Sequence, residues 1–168
     1  MKCSRTVFAV LSIAVLGFVA IGLTSTTAFA QTYTAQANVT VQASVQPTCL
    51  INPATVAFGT YSGTQIQVTS NLAVTCTNLT GYQVGLSAGA GTSVTNRTMT
   101  GPDPNGLPYK LFSDSAYSVN WGNTSGTDTV AGTGSGAAQT LPIYGEIVGG
   151  LYPEAGSYSD TVIATITY

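Results

Sequence analysis

Apolar and polar residues alternate over a long stretch near the start of the chain. Tyr33, Ala35, Ala37, Val39, Val41, Ala43 and Val45 take every second place, with Thr, Gln, Asn and Ser between them. A period of two predicts a strand with one face toward a core and the other toward water. Spanning 33–45, this run is long for one strand and can serve two consecutive ones. Pro47-Thr48-Cys49 then precedes Leu50 and Ile51. Further strands are predicted at Gln65 to Val68, Asn71 to Cys76, Tyr82 to Ser87, Tyr109 to Ser113, Ser118 to Trp121, Gln139 to Val148 and Asp160 to Tyr168. Turn-forming clusters separate them: Thr60-Tyr61-Ser62-Gly63, Gly89-Ala90-Gly91 and Gly101 to Gly106. The Gly/Ser/Thr stretch from Gly122 to Ala138 reads as a long exposed loop. Helical periodicity is lacking, and neither a repeat nor a composition break marks a second domain, so the pattern predicts one all-β sandwich.

The head of the chain follows another rule. Lys2 and Arg5 precede an almost wholly apolar run from Val7 to Leu23, and Ala28-Phe29-Ala30 places small residues where a signal peptidase reads. Residues 1–30 are therefore expected to be a signal peptide cut before Gln31. The competing reading is a retained anchor, since the run approaches the lower limit for spanning a bilayer, about 17 residues. The small-residue site and the lack of basic residues after the run favour cleavage.

Removing residues 1–30 from the 168 leaves 138, enough for one domain with its own core. That mature chain has two cations, Arg97 and Lys110, against six carboxylates. It carries no basic patch, so no nucleic-acid partner is expected. The full sequence's 19 glycines, all but Gly17 and Gly22 in the mature chain, and the low charge could indicate disorder, but the regular short runs of Val, Ile and Tyr argue for a folded chain. Cys3 leaves with the leader. For an exported protein the remaining Cys49 and Cys76 most simply form one disulfide. With no histidine and no third thiolate in the mature chain, a metal site is disfavoured, no cofactor is expected, and the usual nucleophile–base pairs of an enzyme are unavailable. The scattered acids offer no recognisable close pair, so the chain is expected not to be an enzyme.

The two ends of the mature chain carry the functional signal. The final run Asp160 to Tyr168 is a strong β-former. If it lies at an open sheet edge, it invites another strand. The N-terminal alternation could supply that strand, giving backbone hydrogen bonds and side chains for alternate pockets. Pairing of the N-terminal strand within its own subunit fits the alternation as well.

The chain also resembles the spore coat U domain proteins, the group that includes the major subunits of archaic chaperone–usher pili. The likeness rests on an ordered set of motifs across the mature chain. They begin with Val39-Thr40-Val41-Gln42-Ala43-Ser44-Val45 leading to Cys49, Phe58-Gly59-Thr60-Tyr61 and Val74-Thr75-Cys76. Next come Asn96-Arg97-Thr98-Met99, Leu107 to Phe112, Trp121-Gly122 and Pro142 to Ile147. Pro153 to Val162 and the closing Ile166-Thr167-Tyr168 complete the set. The resemblance implies an immunoglobulin-like (pilin-type) sandwich lacking its final strand and completed by donor-strand complementation. It further implies a periplasmic chaperone that lends a strand, an outer-membrane usher, and neighbouring copies or related subunits as partners, in a secreted cell-surface pilus that supports adhesion or biofilm formation. Residues 31–42 would then be a donor extension and 43–168 the sandwich. Ala35, Ala37, Val39, Val41, Ala43 and Val45 would form the donor strand or its junction with the first strand of the fold. Val162, Ala164, Ile166 and Tyr168 would line part of the acceptor groove, and Cys49 and Cys76 would match the family's disulfide. A secreted spore-coat or matrix sandwich with self-contained pairing, and a glycan-binding module, are the alternatives.

Some residues admit two readings. Arg97 could pair with a carboxylate such as Asp160 or sit solvated at the surface, where a pair contributes only about 0–1 kcal/mol. Trp121 could stack on a sugar, but a lone Trp in a small β-domain is more often core. Gly59, Gly145 and Gly156 are expected at turns or bulges. Asn38, Asn78, Asn96 and Asn123 each begin an Asn-x-Ser/Thr sequon, which has meaning only in a host that glycosylates it.

Overall fold

A computed structural model describes residues 31–168, all of them in strands, turns and irregular segments. The expected leader, 1–30, lies outside the described residues. Residues 31–48 carry no strand and are exposed, with Tyr33, Val39, Val41 and Val45 each 80% exposed or more. The alternation there predicts a strand that the chain does not form by itself, because an alternating segment becomes a strand only when a sheet edge accepts it.

Two antiparallel sheets make up Ala43–Tyr168. The first has the order β1-β2-β7-β5-β4, from β1 (Cys49–Ile51), β2 (Ile66–Cys76), β7 (Ala138–Ile147), β5 (Leu107–Phe112) and β4 (Arg97–Met99). The second has the order β6-β3-β8, from β6 (Val130–Thr133), β3 (Gly81–Leu86) and β8 (Ala164–Thr167). In an immunoglobulin constant-type sandwich, strands A, B, E and D face strands C, F and G. Here β1, β2, β7 and β5 match A, B, E and D, while β3 and β8 match C and F. Among the described residues no strand stands in place of G, and the outer edge of β8 is unpaired.

The long ladder between β2 and β7 runs from Ile66↔Ile147 to Thr75↔Ala138 and forms the backbone of the first sheet. Alternate residues of each sheet turn inward. Leu72, Val74 and Cys76 of β2, Tyr82, Val84 and Leu86 of β3, Leu107, Tyr109 and Leu111 of β5, and Ile143 and Ile147 of β7 build one core. Trp121 lies at its centre with no exposed surface, its indole N–H donating to Val84 O at 2.8 Å, which settles it as core.

Several local expectations need correction. The two segments expected at Gln65 to Val68 and Asn71 to Cys76 form one strand, β2, which starts at Ile66 and whose polar centre Thr69-Ser70-Asn71 is held by the ladder to β7. The Gly122 to Ala138 stretch contains β6, which pairs Val130 with Val84 although Ala131 and Gly132 at its centre are poor strand formers. Ser118 to Trp121 forms only an isolated bridge, Phe112↔Asn120. Gly145 is neither turn nor bulge. It sits mid-strand in β7, opposite Val68 and Leu111, where Phe58 and Val56 press against the sheet.

Candidate strand-acceptor site

The free edge of β8 and the outer edge of β1 belong to different sheets and face each other across an opening. β1 is only three residues long, and the Cys49–Cys76 disulfide joins two directly opposed residues of the β1–β2 pair. A cross-link at that point holds a short edge strand that few backbone bonds could hold alone. Past Ile51 the chain stays alongside β2. Asn52 N donates to Ala73 O at 2.9 Å, and Ser70 Oγ donates to Thr55 O at 2.6 Å. Val56 and Phe58 then pack over Gly145, with the Phe58 ring edge-on to Tyr109 at 6.0 Å.

On the opposite wall, β8 pairs Ile166 with Val84 and Ala164 with Leu86. Val162, Ala164 and Ile166 turn inward and are partly buried against the core, whereas Ile163 and Tyr168 are exposed. Between the walls lies a cleft of about 670 Å³. Its floor is the core itself: Leu72, Leu86, Tyr109, Leu111 and Ile143, each nearly inaccessible to solvent, with Ile51, Val56, Met99, Val162 and Ala164 at its sides. An apolar cleft of this kind, flanked by unpaired backbone, is suited to accept an extended strand with an apolar face.

One end of the cleft is closed by polar chemistry. Thr100 and Ser159 exchange backbone bonds at 2.9 and 3.0 Å, bringing the chain toward β8. Asp160 then accepts from Tyr109 Oη at 2.6 Å, Ala90 N at 2.9 Å and Thr161 N at 2.7 Å. Burial pushes the Tyr109 phenol well above its usual range, helped by the hydrogen bond to Asp160 and by that carboxylate's charge, and opposed by Arg97. Arg97 itself has no exposed surface. Its guanidinium donates to four carbonyls: Ser87 at 2.9 Å, Val94 at 2.7 Å, Leu86 at 2.9 Å and Trp121 at 2.7 Å. Burial lowers its pKa, an effect that Tyr109, Asp160 and Asp128 counter. Both sequence readings of Arg97 are thereby corrected. It is neither solvated nor bonded to Asp160, because a planar fork of donors can satisfy several converging carbonyls at once.

The structure thus places Val162 and Ala164 on the cleft, Ile166 on the same inward face against the core, and Tyr168 at the exposed end of the strand. Ala35, Ala37, Val39, Val41, Ala43 and Val45 are exposed. The pattern of strands did not single out Phe58, Met99, Tyr109 or Leu111 as cleft residues. The alternation Leu107, Tyr109, Leu111 was a usable signal for two of them.

Comparison with known proteins agrees with this geometry. A family model described as Spore Coat Protein U domain matches residues 35–165. Protein U of Myxococcus xanthus is 34% identical over 158 residues, an alignment covering 83% of this chain and 88% of the relative. Among solved structures, a chain in the CsuC–CsuE chaperone–tip adhesion subunit pre-assembly complex, from the archaic chaperone–usher Csu pili of Acinetobacter baumannii, superposes with a TM-score of 0.58 at 26% identity. That match covers 74% of this chain and only 40% of the other. With its strand order, its disulfide and a family match over nearly all the described residues, the chain belongs to the Spore Coat Protein U domain family.

Proposed function

We propose that this chain is a non-catalytic structural subunit of a chaperone–usher type pilus, which polymerises by inserting its N-terminal extension into the cleft of a neighbouring copy. The observation that carries the reading is the cleft beside the free edge of β8, with core residues as its floor. An isolated domain that leaves such a floor open is short of one strand. The extension has the complementary character: apolar residues at alternate positions from Ala35 to Val45, exposed and unpaired. Burying Val39, Val41 and Val45 would contribute about 1.5–3 kcal/mol each before ordering is counted, large beside a domain's net stability of about 5–15 kcal/mol.

Before assembly the same cleft needs a temporary occupant. A periplasmic chaperone that lends a strand, and an outer-membrane usher where that strand is exchanged for the next subunit's extension, fill this role. The likeness to a chain in a chaperone–subunit complex supports these partners. The product would be a cell-surface fibre exported through the periplasm and serving adhesion or biofilm formation.

The test is deletion of Gln31 to Val41 in a cell supplying chaperone and usher. The shortened chain should be captured by the chaperone and should not polymerise. Fibres formed normally by it would contradict the reading. The family description, Spore Coat Protein U domain, supports a second reading, a secreted coat sandwich, for which self-contained strand pairing is the alternative to donation. It predicts a soluble, cooperatively folding monomer when the chain is expressed without a chaperone.

A further inference from the structure

The β2–β3 connection ends in an unusual residue. Thr77 to Thr80 form a tight turn, Thr80 N donating to Thr77 O at 3.0 Å. Leu79, at the third position, has φ of 63° and is 80% exposed. Such a turn, with positive φ at its third residue, favours Gly or Asn there. A leucine is disfavoured twice, by the left-handed backbone and by its contact with water. Isolated exposed leucines are ordinary, whereas one held on a strained turn calls for a reason.

Its position supplies one. Thr77 N donates to Thr48 O at 2.9 Å, and Thr48 N donates to Thr77 Oγ1 at 3.1 Å. Leu79 therefore stands at the pole where the N-terminal extension enters the domain. From Val45 to Cys49 the chain can span about 14 Å at most, at roughly 3.5 Å per residue. Whatever subunit the extension reaches must lie close to this pole.

Strand directions identify the surface it would meet. β3 leaves the Leu79 pole, and β8, antiparallel to β3, runs back toward it. A strand added antiparallel to β8, the more stable sense of pairing, runs away from that pole and emerges at the far end of the acceptor. Beyond the Ile66↔Ile147 end of the long ladder lies a recess of about 810 Å³, lined by Tyr61, Leu151, Tyr152 and Pro153 among others. Tyr61 Oη donates to Val148 O at 2.8 Å and accepts from Leu151 N at 3.1 Å, which fixes the recess wall, while Tyr152 is 87% exposed. The recess shares Val56, Phe58, Met99 and Tyr158 with the strand cleft, so it opens beside the point where an inserted strand would emerge.

We propose that Leu79 of one copy docks in the Tyr61–Leu151–Tyr152 recess of the next, a head-to-tail contact that sets how successive subunits seat on one another. The proposal rests on the donor-strand reading above and adds a second, side-chain interface to it. Contact between two different patches is heterologous and propagates along a fibre. Around Leu79 the turn residues Thr77, Asn78 and Thr80 and the adjacent Gly134-Ser135-Gly136 are uncharged, so no ion is desolvated on that side.

The test uses fibres assembled by cells that supply chaperone and usher. Cys49 and Cys76 are already joined, so a Leu79→Cys, Tyr152→Cys double variant introduces a new pair. After mild oxidation and boiling, its fibres should run as a ladder of covalent oligomers, and each single variant as monomer. Leu79→Asn removes the docking side chain while relieving the turn. Its domain should melt at or above the wild-type temperature, yet its fibres should release subunits in guanidinium about tenfold faster, the effect expected for exposing one leucine. Intact fibres with no ladder and unchanged release from Leu79→Asn would overturn the contact while leaving strand donation standing. A wild-type chain that forms no fibres would overturn both.

Discussion

The guanidinium of Arg97 donates to the carbonyl oxygen of Trp121 at 2.7 Å, and neither side chain has any exposed surface. The indole donates in turn to Val84 O, so the pair ties β4 and the segment after β5 to the middle of β3. Replacing Arg97 with Met would leave four carbonyls without their donors, at a cost of about 1–3 kcal/mol for each one that stays dry. Allowing for relaxation and entry of water, Arg97→Met should destabilise the domain by about 3–5 kcal/mol. Arg97→Lys should lose about 2 kcal/mol, because a point ammonium with three donors cannot span four carbonyls. Calorimetric melting of the folded domain checks both, and an Arg97→Met midpoint within a few degrees of wild type would refute the structural role.

Tyr109 and Asp160 make the far end of the cleft sensitive to alkali. The folded protein raises the Tyr109 pKa, chiefly by burial and then through the Asp160 hydrogen bond. The fold thus favours the protonated phenol. This contribution to stability is fully present below the ordinary tyrosine pKa, about 10, and is lost as pH rises through the elevated folded value. Between about pH 9.5 and 11 the denaturation midpoint of the wild type should fall more steeply than that of Tyr109→Phe, by the linkage of up to one proton. Equal slopes for the two proteins would show that the phenol is not held in its neutral form.

How far the sequence reveals this architecture depends on where each signal lives. Core strands with a period of two were legible, Tyr82 to Leu86 in full and β5 from Tyr109 onward, with its first two residues, Leu107 and Pro108, missed; both strands point alternate side chains into one core. β6 was not, since Ala131 and Gly132 have little strand preference and interrupt its pattern, and the segment is recruited by the exposed backbone of β3. β8 is shorter than the apolar run from Asp160 suggests, because Asp160 anchors Tyr109 and Ala90 before the chain joins the sheet. The strongest alternation of all, 33–45, forms no strand, because strand pattern records a capacity for pairing and the partner decides where it is used. Arg97 was illegible because burial of a cation depends on carbonyls supplied by Ser87, Val94, Leu86 and Trp121, which converge only in the fold.

Gly145 should tolerate no side chain. A Cβ there would come within 2.9 Å of both Phe58 Cζ and Val56 Cγ1. These two residues close over the first sheet and form part of the cleft wall. Gly145→Ala should destabilise by about 1–3 kcal/mol through overpacking, and Gly145→Val by more. Pairing it with Phe58→Leu, which frees space above the strand, should recover part of the loss in a double-mutant cycle measured by urea unfolding. Additive effects would place the strain elsewhere.

The Cys49–Cys76 disulfide has two separable effects. It closes a loop with a sequence separation of 27, and the chain-entropy estimate for such a loop is about 3.5 kcal/mol. It also holds the three residues of β1 as one wall of the cleft, a local effect that global stability alone would not report. Cys49→Ser with Cys76→Ser should therefore lower the unfolding midpoint in guanidinium and, beyond that, weaken strand acceptance at temperatures where the domain is still folded. A far-ultraviolet circular dichroism melt measures the first effect. The second is read from the affinity of the folded variant for a synthetic peptide of residues 33–47. If the variant is destabilised but binds the peptide as tightly as the parent, β1 keeps its place through hydrogen bonds alone, and the disulfide serves stability only.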